Sequence, residues 1–139
     1  MMSKQRGSMS IEAVLIIPAF LIFLALIAAI GRTAAVREDL HASVVAGARI
    51  ASLQTSSQAG ESAARTAIES HLSDEGVDCT YIDISINSYA MDLPPGQSGE
   101  VTATITCTVP LSDLSVPGLP GQIQLSDTFS TPIDPYSLR

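Results

Sequence analysis

The sequence predicts an α+β fold: a long N-terminal transmembrane helix, a second short helix and a small antiparallel three-stranded sheet. Three observations carry that prediction. Residues 13–31 contain no charge, and a run of that length lets a helix cross a bilayer core. After Arg32, and again after Gly60, apolar residues recur at steps of three and four, the helical period. Beyond Gly76 the period falls to two. Val101, Ala103, Ile105, Cys107 and Val109 alternate with Thr102, Thr104, Thr106 and Thr108, as in a half-buried strand.

The chain has 139 residues and a formal net charge of -7. With the first thirty or so in lipid, about a hundred remain, enough for one small domain and not two. The reading divides it into a basic leader (1–7), a transmembrane helix (8–31) and an extracytoplasmic α+β domain (32–139). The leader carries Lys4 and Arg6 and no acid. By the positive-inside rule that end stays in the cytoplasm and the remainder is exported. The expected location is therefore the inner (cytoplasmic) membrane, crossed once.

The apolar run reads AVLIIPAFLIFLALIAAIG. Pro18 lies inside it; a kink there is tolerated in lipid, where neighbouring groups re-satisfy the freed carbonyl. Ala25, Ala28, Ala29 and Gly31 are small enough to let another helix approach closely. A lipid-facing anchor accounts for them equally well.

No breaker follows Gly31 until about residue 53. Val36, Leu40, Val44, Ala48 and Ala51 form an apolar stripe, with Arg37, Glu38, His41 and Arg49 off it. One helix over residues 9–53 is expected, roughly 65–70 Å long at 1.5 Å per residue. The polar stretch 54–60 interrupts it. A second helix is expected over 61–73, with Ala64, Ala67, Ile68 and Leu72 as its stripe and Glu61 and Arg65 as an i,i+4 pair. Gly76 is its stop. His71 lies in the last turn, where the helix dipole favours a cation.

Strands are expected over 77–89, 100–110 and 122–130. Ile82, Ile84 and Ile86 alternate in the first, and Ile123, Leu125 and Phe129 in the third. The connections are Pro94-Pro95-Gly96 with Gly99, and Pro117-Gly118-Leu119-Pro120-Gly121. Such loops predict a meander with one face covered by the helices. Setting Ile86, Ile84 and Ile82 opposite Val101, Ala103 and Ile105 leaves Cys107 facing Thr80. A β-bulge near residues 80–82 would bring Cys79 opposite Cys107. A Cys79–Cys107 disulfide is the resulting expectation, and it fits an exported domain.

The residue inventory argues against catalysis. His41 and His71 are the only histidines, on separate helices, and no metal site is expected. No serine sits in a Gly-x-Ser-x-Gly elbow, and both cysteines fall on strands. The glycines of residues 117–121 lack the Lys-Ser/Thr of a phosphate loop. Lys occurs once and Arg is scattered, so no nucleic-acid surface is expected. No cofactor is expected.

One stretch remains: Gly7-Ser8-Met9-Ser10-Ile11-Glu12 at the mouth of the apolar run. A carboxylate there is costly, about 2.5–3.5 kcal/mol at the bilayer centre, and such residues tend to be functional. The stretch resembles a type IV prepilin processing site: basic leader, glycine, four residues, glutamate, hydrophobic helix. From Arg6 through Pro18 to Gly31-Arg32 it more specifically resembles TadE-like proteins, minor pilins or pseudopilins of the tight-adherence (Tad/Flp) pilus. Ile133-Asp134-Pro135-Tyr136 resembles tails of some relatives. Ala13 departs from the pattern, where a bulky residue often follows the glutamate.

The resemblance implies a structural subunit that is not an enzyme. A prepilin peptidase would cut after Gly7, leaving Ser8 as the N-terminus. Formal charge would go from -7 to about -9 as Lys4 and Arg6 leave. Glu12 would serve assembly, with the new amino group of Ser8 as its natural cation. Partners would be other pilin or pseudopilin subunits, the inner-membrane pilus assembly machinery and the lipid bilayer. Two other fates fit the N-terminus: release after Gly31 by signal peptidase as an exported binding domain, and an unprocessed single-pass anchor.

Overall fold

The computed structural model describes residues 8–112 and 120–135, with side chains from residue 12 onward. Helix α1 spans Ser8–Ser52 and α2 spans Ser57–Asp74. Strands β1 (Tyr81–Asn87), β2 (Gly99–Pro110) and β3 (Gln122–Ile133) form one antiparallel sheet in the order β1-β2-β3. The two helices pack side by side and cover one face of that sheet, α1 over β2 and β3, α2 toward β1. This is the α+β meander expected.

Helix α1 runs unbroken through Pro18 and Gly31. No residue before Val36 is buried among those whose side chains are described. From there the expected stripe is buried throughout: Val36, Leu40, Val44, Ala48 and Ala51. Covering a side chain such as Leu40 or Val44 contributes about 1.5–3 kcal/mol each. Gly47 lets the helices meet: a Cβ there would stand 2.6 Å from Ile68 Cγ1 and 3.3 Å from the Ala64 carbonyl oxygen.

Helix α2 starts four residues earlier than the expected 61. Ser56 is its N-cap, and its hydroxyl accepts from the Ala59 N–H at 3.3 Å. Gly60, which reads as a breaker, is buried within the helix, where Met91 Sδ would lie 3.0 Å from an added Cβ. Ala67, placed on the stripe from sequence, is only half-buried. At the other end Gly76 adopts φ +67°, its N–H bonds to the Ser73 carbonyl, and the Val77 N–H bonds to that of Leu72. That paired arrangement is a Schellman stop.

The same stop explains why β1 begins at Tyr81 and not at 77. The Val77 N–H is committed to the helix cap and cannot join a ladder. At the far end Ser88 turns inward, its buried hydroxyl donating to the Ser57 carbonyl at 3.0 Å, and a 3-10 turn follows at Tyr89–Asp92. The chain then reverses at Pro94-Pro95-Gly96-Gln97. Gly96 takes φ +97° and the Gln97 N–H returns to the Pro94 carbonyl, a type II turn. The other expected turn, over 117–121, lies mostly outside the described residues.

The strand register differs from expectation. Ile84 pairs with Ile105, and Ile82 with Cys107, a shift of two residues. The shift keeps the isoleucines on the helix side, because side chains repeat every two residues. Tyr81 faces Thr108, and the preceding Thr80 also donates to the Thr108 carbonyl at 2.8 Å. Two residues against one is the count of a bulge. On the outer face, hydroxyl pairs Thr102–Ser130, Thr104–Thr128 and Thr106–Ser126 bridge β2 and β3 at 2.8, 3.0 and 3.2 Å.

Candidate functional site

The N-terminal candidates lie at the foot of α1. Gly7 is outside the described residues, and Ser8 is the first described residue of α1. Glu12 is exposed on the first turns. Pro18 sits within the helix. From Val14 to Ile30 the large apolar side chains are uncovered, Phe20 and Phe23 each 57% exposed. This part of α1 is long and apolar enough to cross a membrane. Its chemistry is that of an anchor or of a helix awaiting a partner.

Cys79 and Cys107 form the expected disulfide, with Cα atoms 5.4 Å apart. They are not cross-strand neighbours. Cys107 is fully buried on the central strand, and Cys79 lies in the segment between the α2 stop and β1. The bridge ties that segment to the core beside Val77 and Leu72. In the chain-entropy account, a loop with a separation of 28 residues is stabilised by about 3–4 kcal/mol.

A second polar constellation joins α1 to β3. Odd-numbered residues of β3 point toward the helices, as Leu125 and Ile133 do from their buried positions. Asp127 occupies one of these places, opposite Ile105. Its Oδ2 lies 2.6 Å from His41 Nδ1, and its Oδ1 accepts from the Thr128 N–H at 2.8 Å. The His41 ring stands edge-on to Phe129, centroids 6.3 Å apart. The Leu111 N–H bonds to the Gly121 carbonyl in line with the β2–β3 register. Alternation then turns the N–H and C=O groups of the even β3 residues to the open edge. Asp127 therefore pins α1 and caps one edge N–H at the same time.

Beside this clamp, Arg37, Leu40, Gln124, Leu125, Ser126 and Asp127 line a groove of about 370 Å³. On the opposite edge of the sheet one carbonyl is capped: Arg65 of α2 donates to the Ile84 carbonyl at 2.9 Å while lying 3.8 Å from Glu61. Asp92 secures the start of α2, accepting from the Ser57 hydroxyl and from the Ser57 N–H at 3.2 Å. Those two bonds, the hydroxyl first, hold its carboxyl below the ordinary range. Among the described residues, His71 Nδ1 is buried with no hydrogen-bond partner.

Sequence reasoning missed the clamp. Its one signal was the gap at Asp127 between Leu125 and Phe129 in an otherwise apolar alternation. Among the described residues no group of three or more His, Cys, Asp or Glu could hold a metal. Comparison with family models, with curated proteins and with solved structures finds no match to this chain.

Proposed function

We propose that this chain is a minor pilin-like structural subunit of a tight-adherence (type IV-like) pilus. It is processed between Gly7 and Ser8 and built into its assembly by the exposed half of α1. One observation carries the reading. Glu12 stands five residues past Gly7 on a single helix described over Ser8–Ser52, whose apolar half is uncovered and whose second half is welded to a domain. A continuous helix transmits packing at its foot to the exported domain, and Glu12 offers a charge that can set axial register against a neighbouring subunit's N-terminus. The disulfide fits an oxidising compartment. The subunit would meet a prepilin peptidase, other pilin or pseudopilin subunits and the inner-membrane assembly machinery.

A second reading is an exported domain released after Gly31. It is favoured by the burial pattern, since among the described residues every buried one lies at or beyond Val36 and the domain would survive the cut. Mass spectrometry of the native protein separates the two. A mature start at Ser8 supports the pilin reading, a start at Arg32 supports release, and a start at Met1 supports an unprocessed anchor.

A further inference from the structure

We propose that the groove between α1 and the open edge of β3 binds the headgroup of an anionic phospholipid, in the leaflet from which α1 emerges. The inference rests on the membrane-anchor reading.

Height is the first argument. The apolar run ends at Gly31, and Arg37 and Leu40 follow six and nine residues later, about 9 and 13 Å along the axis. The headgroup layer is about 5–7 Å deep on each side of the hydrocarbon. Helical side chains lean toward the helix N-terminus, which here points to the membrane. The Arg37 guanidinium therefore reaches back to phosphate level, and Arg32 sits lower still.

Chemistry is the second. Arg37 is exposed and makes no ion pair or hydrogen bond with a described residue. A guanidinium beside a phosphodiester binds it through two parallel N–H bonds. The open edge of β3 adds backbone N–H groups at Gln124 and Ser126, both of which line the groove. Leu40 and Leu125, both buried, form the apolar floor of the groove. The groove's own acid, Asp127, is occupied by His41 and by the Thr128 N–H. Glu38 and Asp39 do not line the groove. The volume is within the range of small-molecule clefts.

The full-length protein in detergent micelles, titrated with dioleoylphosphatidylglycerol and weighed as intact complexes, tests this. Arg37→Gln is expected to weaken the first bound lipid about five-fold, the effect of one basic residue at a lipid surface. Arg37→Lys, which keeps the charge and loses the two-point geometry, should fall between wild type and Arg37→Gln, and Arg49→Gln, farther up the helix, should change nothing. Equal losses in Arg37→Gln and Arg49→Gln would overturn the site. So would equal binding of dioleoylphosphatidylcholine, or saturation by inorganic phosphate without lipid. Alkaline carbonate extraction of cell membranes checks the premise separately. A chain that washes off removes the anchor reading and this site with it, whereas a retained chain with an indifferent Arg37→Gln removes the site alone.

Discussion

His41 on α1 and Asp127 on β3 meet at 2.6 Å across 86 residues of sequence, and the same carboxylate takes the Thr128 N–H. The pair fixes the helix laterally over the edge strand, where apolar contacts alone allow sliding. Its side chains are 59% and 31% exposed, so solvent screens it. A double-mutant cycle with His41→Ala and Asp127→Ala is expected to give a coupling of roughly 0.5–1 kcal/mol. A coupling indistinguishable from zero would remove the clamp as a stabilising contact.

The Cys79–Cys107 bridge predicts no free thiols in the unreduced protein. Replacing both cysteines by serine is expected to lower unfolding free energy by about 3–4 kcal/mol, read as a fall in the urea midpoint. Because Cys107 is fully buried, the serine hydroxyl adds to that loss. A thiol titration returning two equivalents would contradict the bridge.

Gly47 tests the helix–helix contact. Alanine has the higher helix propensity by about 1 kcal/mol, yet its Cβ would stand 2.6 Å from Ile68 Cγ1 in a residue that is itself fully buried. Overpacking costs about 1–3 kcal/mol, so Gly47→Ala should destabilise on balance and Gly47→Val more so. A thermal midpoint raised by Gly47→Ala would mean that the helices separate freely.

Asp92 gives a pH dependence. Its folded carboxyl is held below the ordinary range by the Ser57 hydroxyl and N–H. A depressed carboxylate adds stability above its unfolded value, near 3.9, and loses that contribution as pH falls through the folded one. The difference in urea midpoint between wild type and Asp92→Asn should therefore narrow as pH is lowered below about 4. Ser57→Ala should raise the Asp92 titration followed by carboxyl NMR. A difference that stays constant with pH would dismiss the cap.

For the proposed function, Glu12→Ala should leave membrane insertion intact and impair pilus formation, as seen by membrane fractionation and electron microscopy. Normal piliation would sink the role given to Glu12. Gly7→Val should leave the precursor uncut, and unchanged processing in that variant would argue against cleavage at this bond.

Much of the fold was legible because burial imposes a period. The α1 stripe from Val36 to Ala51 and the β2 alternation from Val101 to Val109 read directly as one-sided elements. Boundaries were less legible where a backbone group had a competing partner. The Val77 N–H serves the α2 stop, which shortens β1, and the Ser56 hydroxyl starts α2 ahead of a glycine that reads as a breaker. The register erred by two because a slip of two residues preserves every inward isoleucine, and pattern alone cannot separate the two pairings.

By itself, the sequence determined the element types, the exposed apolar length of α1 and the pairing of two cysteines, all of which follow from composition and local period. Tertiary structure decided which strand lay over which helix. It thereby decided that Asp127, an exception in an apolar alternation, would face His41 and leave Arg37 beside an open strand edge. Such contacts depend on the relative placement of segments far apart in the chain, and hydropathy along a single segment carries no record of that placement.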